Sequence, residues 1–213
     1  MILQYVTPDL DVSNNIAIIA SSPSILNRTY GEFIDEFDDI VRFNRAPTES
    51  YETHVGSRTT IRVANQHVFS NVPHPRVGNW TNKGQPANFV KDLRNMKILM
   101  IGPQTNEHNG RGDEWRSRHE NIHSSCDPYL GDYSSIQHIC QVNTGHRRPS
   151  IGFAIIHLCI RVGVIPHIFG FGLNDEFAQH YWEDKGTHMT HHYKYERSKI
   201  KELIDKGLII SYE

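Results

Sequence analysis

Short apolar runs alternate with helical patterns along the 213-residue chain. Each run is rich in Ile, Val or Phe, which predicts a buried strand. The runs lie at residues 16–20, 40–44, 59–64, 97–101, 166–171 and 208–212. Because their apolar residues are nearly continuous rather than alternating, they predict a mostly parallel sheet that is covered on both faces.

Three further segments have the spacing of helices. Residues 89–96 are short and amphipathic, and residues 150–162 are strongly apolar, which predicts a buried helix. Residues 193–206 are charged but carry Ile200, Leu203 and Ile204 on one face. Strands that alternate with helices indicate an α/β fold with helices flanking a central sheet. The length favours a single domain over residues 1–213.

Residues 102–148 differ from the rest, because they are rich in Gly, Asn, His, Arg and Ser and have little periodicity. They predict a long loop region inside the domain, of the kind that forms a lid or a binding loop. Its length and polarity suggest that it lies near the acceptor of whatever reaction the domain performs.

Composition narrows the classes of partner. The formal charge is −2, so no basic field points to nucleic acid. Full protonation of the 14 histidines would carry the charge from −2 to +12, so pH controls the charge of this chain. No run of 18 apolar residues and no signal peptide is evident, and three cysteines lack metal spacing. These features predict a soluble, cytoplasmic chain with reduced thiols and no membrane span.

Small polar residues follow the first predicted strand. Ser21 and Ser22 come directly after it, where α/β sheets bind ligands and helix N-termini favour phosphate. The alternative is a simple turn in which Ser24 caps a helix. Since neither a G-x-G-x-x-G nor a P-loop motif is present, a dinucleotide or P-loop site is disfavoured.

Two asparagines end neighbouring predicted strands. Asn44 and Asn65 each supply a donor and an acceptor, which suits the ribose, base edge and phosphate of a nucleotide. The alternative is that both cap turns. Pro149 before a helix with Ser150 and Gly152 in its first turn leaves backbone N–H groups open to an anion, and Gly172 permits close approach after a strand.

Four histidines fall close together near the end of the chain. They are His180, His188, His191 and His192, with Glu196 following. A metal site is one interpretation, although the spacing matches no zinc signature. Acid–base catalysis by one or two imidazoles is a second, and exposed histidines at a helix start are the third.

Together these segments resemble the animal-type sialyltransferase family, which is defined by four sialylmotifs. The long motif corresponds to residues 16–65, including the runs VRFNRAPT and VGSRTTIR. The paired serines in it are typical of the galactoside α-2,6 branch. The short motif corresponds to PSIG through FGFG, the third to HYWE, and the very short motif to His191 and Glu196. All four occur in the family order, and they cover about half of the chain.

The resemblance implies a GT-A-like, Rossmann-like variant of the α/β fold. It also implies an inverting, metal-independent transfer of sialic acid from CMP-sialic acid to a galactoside-type hydroxyl of a glycan. By position, the residues expected to hold the donor are Ser21, Ser22, Asn44, Asn65, Ser150 and Gly152. His191 would be the general base and His180 would lie by the leaving phosphate. Tyr181, Glu196 and Gly172 would support the site, Glu196 by orienting a helix or capping its first turn. No cofactor and no metal are expected.

Two positions depart from the family pattern. Ile16 replaces the cysteine that usually pairs with the one at Cys159, so that disulfide cannot form. Ile151 replaces a hydroxyl residue of the short motif. These departures leave two alternatives: transfer from another CMP-sugar such as CMP-Kdo, or a nucleotide- or glycan-binding module without catalysis.

Overall fold

The computed structural model describes residues 12–65, 97–102, 129–132, 149–174, 180–182 and 193–213. The helix expected at 89–96 lies outside these ranges, as do His188, His191 and His192. Of Asn65, the structure describes the backbone alone.

A seven-stranded sheet forms the centre of the molecule. All its registered strand pairs are parallel. The strands are β1 (Ile16–Ile19), β2 (Asp39–Phe43), β3 (Ile61–Asn65), β4 (Lys97–Gly102), β5 (Tyr129–Asp132), β6 (His167–Phe169) and β7 (Ile210–Tyr212). Their order across the sheet is β5-β4-β3-β2-β1-β6-β7. The prediction of an α/β fold with a mostly parallel sheet is confirmed, and each predicted apolar run contains a strand.

Both faces of β1 are buried, as its continuous apolar run indicates. In β1, Ile16 and Ile18 pack into one core cluster, whereas Ala17 and Ile19 pack into a second cluster. All four side chains are at most 2% exposed. Such a strand has no solvent face, which is why its sequence does not alternate.

Helices cover the two faces. The described helices are a 3₁₀-helix (Pro23–Asn27), α1 (Gly31–Asp35), α2 (Glu52–Val55), α3 (Ile151–Arg161) and α4 (Tyr193–Asp205). Helix α3 is buried over most of its length, as its apolar sequence predicts. Helix α4 buries Ile200, and Leu203 and Ile204 pack against the same cluster, so the predicted apolar face is confirmed.

Strand β5 lies within the stretch expected to be a loop. The expectation of a continuous loop over 102–148 is wrong at these four residues, and Gly102 itself ends β4. Gly131 and Asp132 are residue types depleted in strands, and β5 is an edge strand, so it needs no long apolar run. The rest of the stretch lies outside the described residues.

The chain order reverses at β1. From β1 the chain builds outward through β2, β3, β4 and β5, and then returns through α3 to β6 on the other side of β1. In open parallel sheets, ligands bind in the crevice beyond the carboxyl ends of the strands at such a switch point. The fold therefore directs attention to the residues that follow β1, β2 and β6.

Candidate active site

The segment after β1 is attached to the segment after β6. The Ala20 N–H donates to the carbonyl of Phe169 at 2.8 Å, and the Ser22 N–H donates to that of Gly170 at 2.9 Å. Ser22 is the N-cap of the 3₁₀-helix, because its hydroxyl accepts from the Ser24 N–H at 3.3 Å. The capping alternative is thus realised, but Ser22 is the cap and not Ser24. Ser22 directly precedes Pro23, which begins the helix and has no N–H to be capped. The Ser22 hydroxyl therefore accepts from the next N–H, that of Ser24.

Asn44 turns the chain at the end of β2. It has a φ of +46°, a left-handed conformation that asparagine tolerates better than most residues. Its N–H donates to the Val63 carbonyl at 2.8 Å. The Arg62 guanidinium donates to the carbonyls of Asn44 at 3.4 Å and Ala46 at 3.1 Å. Asn44 therefore forms a turn at the carboxyl edge, and the buried Arg62 stabilises that turn by hydrogen bonds to its carbonyls.

Two buried arginines lie side by side in the sheet. Arg42 of β2 and Arg62 of β3 are register partners, with exposed fractions of 0% and 6%. Arg42 donates to the carbonyls of Val55 and Arg58 at 2.5 and 3.0 Å. Burial lowers the pKa of Arg42 to about 10, opposed by the nearby Tyr181 and Asp35. Both arginines lie inside strands predicted to be buried, but the sequence does not show which carbonyls accept from them.

Ser150 and Glu196 join the N-terminus of α3 to the first turn of α4. The Glu196 carboxylate accepts from the Ser150 N–H at 2.6 Å and from its hydroxyl at 2.5 Å. The Ser150 hydroxyl in turn accepts from the Phe153 N–H at 3.2 Å, which makes Ser150 the N-cap of α3. Glu196 is only 3% exposed. It therefore supports the first turn of α3 from the first turn of α4.

Gly152 allows an aromatic ring to approach α3. A Cβ at this position would lie 3.1 Å from Cε1 of Phe171 and 3.6 Å from Cε2 of Phe43. Phe43 ends β2 and Phe171 follows β6, so the start of α3 lies against the carboxyl ends of both strands. The predicted donor residues Ser22, Ser150 and Gly152 thus belong to one edge of the sheet.

A glutamate that the motifs do not include also holds this edge. Glu213, which follows β7, accepts from the N–H groups of Phe171, Gly172 and Leu173 at 2.6, 3.0 and 3.4 Å. Burial raises the pKa of Glu213, and these N–H groups partly offset the rise. Its one signal in the sequence is its position as the acidic residue after a strand.

Tyr181 attaches the third motif to the same edge. Its N–H donates to the Ser21 carbonyl at 2.9 Å, and its hydroxyl donates to the Pro47 carbonyl. Burial raises the pKa of Tyr181 to about 12 although Arg42 and Arg62 lower it. The neighbouring His180 ring stacks on Trp182 with centroids 4.5 Å apart. His180 is therefore one residue from a backbone N–H that is bonded to the Ser21 carbonyl.

The remaining predicted groups are only partly described. His191 lies outside the described residues, so the structure does not test it as a base. Within the described ranges, no group of three His, Cys, Asp or Glu side chains forms a metal cage. Since three of the four clustered histidines lie outside those ranges, the metal interpretation stays open.

Cys159 is a free, buried thiol among the described residues, and burial raises its pKa to about 12. Ile16 and Cys159 belong to one apolar core cluster. None of the described helices has the length and apolarity needed to cross a membrane. The cytoplasmic location stays a prediction.

The fold and the edge define a class of protein: a parallel α/β domain with polar residues at the carboxyl edge of its switch point. The family model of glycosyltransferase family 29 (sialyltransferase) matches residues 8–208. The chain belongs to this family, and the resemblance drawn from the four motifs is confirmed.

Individual relatives match over shorter segments. Human beta-galactoside alpha-2,6-sialyltransferase 2 is 47% identical over 58 residues, which cover 27% of this chain and 11% of the human protein. The protein of that name from Takifugu rubripes is 42% identical over 67 residues, 32% of this chain and 12% of that protein. The matched segments therefore span about a tenth of these relatives.

A solved structure is similar in fold over most of the chain. The crystal structure of a mammalian sialyltransferase in complex with Gal-beta-1-3GalNAc-ortho-nitrophenol has a TM-score of 0.62 at 20% identity. The match covers 92% of this chain and 68% of that one. At this identity the match establishes the fold, and the substrates of the present chain are a separate question.

Proposed function

We propose that this chain transfers sialic acid from CMP-sialic acid to a galactoside-type hydroxyl of a glycan. The family and the names of the relatives support this donor and acceptor class. The observation that carries the proposal is the convergence of Ser22, Asn44 and Ser150 on the carboxyl edge at the switch point. We further propose that the fold is the GT-A-like variant and that residues 1–213 form one catalytic domain.

The donor would bind along this edge. In the proposed arrangement, the hydroxyls of Ser21 and Ser22 and the amides of Asn44 and Asn65 hold the CMP moiety. The first turn of α3, with Ser150 and Gly152, approaches the phosphate and the sialic acid carboxylate, since helix N-termini favour anions. The side-chain contacts of Ser150 with Glu196 and Phe153 keep that turn fixed when the donor arrives.

The proposed chemistry is an inverting displacement. His191 removes the proton of the acceptor hydroxyl, and the oxygen attacks the glycosidic carbon while its bond to the phosphate oxygen breaks. CMP leaves with the bonding electron pair, and His180 beside the phosphate stabilises the developing charge. One base is sufficient for inversion, so a second carboxylate is not needed. We propose that no metal takes part.

The test is release of CMP in the presence of a galactoside acceptor. His191→Ala is expected to lower kcat on the order of 10²- to 10⁴-fold, as loss of a general base does. His54→Ala is the matched control, because His54 lies on α2 and contacts the Arg28 carbonyl. Full kcat in His191→Ala would reject the assigned base, and loss of activity with a chelator would reject metal independence.

A binding module without catalysis is the second candidate. Ile151 favours it, because this side chain is 8% exposed within a core cluster and supplies no hydroxyl to the donor. Such a module would be stabilised by CMP, with a raised Tm, yet would transfer nothing. Assays with CMP-sialic acid and CMP-Kdo separate the three possibilities, since each predicts a different set of active donors.

A further inference from the structure

Glu213 fills a concave group of backbone N–H donors after β6. Its carboxylate accepts from Phe171, Gly172 and Leu173, at 2.6 Å for the shortest of these bonds. Gly170 and Gly172 flank and interrupt this run with φ values of +67° and +61°. The three N–H groups converge on one carboxylate, as in the anion-binding nests that left-handed residues help to form. In this protein the anion in the nest is a side chain of the chain itself.

The same carboxylate reaches the segment after β1. It accepts from the Ser24 hydroxyl at 3.2 Å, and that hydroxyl lies 3.2 Å from the hydroxyl of Ser22. Ser22 in turn donates its N–H to the Gly170 carbonyl at 2.9 Å. Glu213 thus closes a ring of contacts that joins the ends of β1, β6 and β7.

The nest also sets the position of Phe171 relative to α3. The Phe171 N–H is the closest donor to Glu213, and the ring of Phe171 would lie only 3.1 Å from a Cβ at position 152. The ring of Phe171 therefore packs closely against the first turn of α3. A change in the nest is therefore transmitted to both predicted donor-binding segments, Ser22 on one side and Gly152 on the other.

We propose that Glu213 is a positioning residue for the donor site: through the 171–173 backbone and Ser24, it fixes Ser22 and the start of α3 in the arrangement that binds CMP. This inference rests on the proposed function, because it presupposes that CMP binds at this edge. Glu213 acts through other residues and does not contact the reacting atoms.

Glu213→Gln tests the proposal with little change in volume. An amide presents one acceptor and an NH₂ donor, so a donor would face at least one N–H of the nest. Losing one or two bonds to a charged group is expected to raise the Kd for CMP about tenfold. In the transfer assay, the KM for the donor rises while the KM for the acceptor is unchanged. Hydrogen exchange at the Phe171, Gly172 and Leu173 amides becomes faster.

Glu202→Gln is the matched control, since Glu202 is an exposed carboxylate on α4 that contacts Lys199. It makes the same change of charge and is expected to leave CMP affinity unaltered. A purely structural role for Glu213 would lower Tm in Glu213→Gln but leave the Kd for CMP of the folded variant unchanged, and that result would overturn the proposal.

Failure of the proposed function looks different: a chain that uses no CMP-sugar would show no CMP binding in the wild type, and a binding module would bind CMP but transfer nothing. If Glu213→Gln does not fold, Ser24→Ala removes one contact of Glu213 and leaves the three backbone bonds. Wild-type CMP affinity in Ser24→Ala would then count against the positioning role, whereas weaker binding would support it.

Discussion

The two halves of the sheet are stabilised by opposite charges. In the β2–β3 half, Arg42 donates to carbonyls at and after the end of α2, and Arg62 donates to carbonyls of the turn after β2. At β6 and α3, Glu196 and Glu213 accept from backbone N–H groups. These backbone groups lie outside the strands of the sheet, so charged side chains bond to them instead of strand partners.

The two halves differ in which backbone groups bond to the buried charges. The arginine half uses carbonyl groups, whereas the glutamate half uses N–H groups. A buried charge is costly unless hydrogen bonds surround it, so each half depends on bonds between its charged group and the backbone. The halves also differ in field: cations lie behind Asn44, whereas the carboxylates at α3 and β6 are surrounded by N–H dipoles.

Arg42→Met is expected to have the largest effect on stability. Methionine keeps much of the volume but leaves the carbonyls of Val55 and Arg58 without their donor in a buried region. Unsatisfied buried polar groups cost about 1–3 kcal/mol each, so the free energy of unfolding should fall by about 3 kcal/mol or more. Denaturant unfolding measures the loss.

Arg161→Met provides the control for this substitution. Arg161 is exposed at the end of α3, where the same change should cost no more than about 0.5 kcal/mol. Arg42→Lys keeps the charge but not the planar set of donors, so its loss should be intermediate. Equal losses in Arg42→Met and Arg161→Met would mean that the hydrogen bonds of Arg42 to Val55 and Arg58 do not stabilise the protein.

Glu196→Ala tests the glutamate half and is expected to have the next largest effect. The N–H and hydroxyl of Ser150 lose their acceptor, and the N-terminus of α3 loses a nearby negative charge. The expected loss in unfolding free energy is about 2 kcal/mol, because bonds to a charged acceptor are the stronger kind. Glu196→Gln retains one acceptor oxygen and should lose about half as much. Thermal and denaturant unfolding provide the values.

Glu202→Ala is the appropriate comparison on the same helix. Glu202 is exposed and pairs with Lys199 at 2.8 Å, an arrangement that contributes little to stability. A loss in Glu196→Ala no larger than that in Glu202→Ala would contradict the tie between α3 and α4.

How far the sequence predicts the molecule depends on the range of the interactions. β1 is predicted well because every one of its residues is buried and apolar. Helix α4 is predicted by Ile200, Leu203 and Ile204, since spacing along one helix is a local property. Short-range signals of this kind identify strands, helices and the serines and asparagines at their ends.

The supports of the site could not be predicted in this way. Ser150 and Glu196 are 46 residues apart, and Phe171 and Glu213 are 42 apart, so only the order of strands brings them together. The burial of Arg42 depends likewise on carbonyls of a turn that follows another element. Strand β5 was missed because an edge strand of four residues needs little apolar sequence.

Substitutions of Asn44 distinguish its role in the turn from its proposed role in binding the donor. They are expected to have the smallest effect on stability of the changes considered. Alanine at its φ of +46° is expected to cost about 1 kcal/mol of unfolding free energy, whereas glycine adopts this conformation without a steric cost. Stability therefore falls in Asn44→Ala and stays within about 0.5 kcal/mol of wild type in Asn44→Gly.

The Kd for CMP should depend on the presence of the Asn44 side-chain amide and not on the stability of the variant. Both Asn44→Ala and Asn44→Gly are expected to bind CMP about tenfold more weakly by calorimetric titration, because each lacks the side-chain amide. Ser50→Gly is the control: Ser50 is exposed and also has a positive φ, of +70°, so glycine relieves a turn there without removing a predicted contact. If Asn44→Gly keeps wild-type affinity, Asn44 forms the turn but does not bind CMP.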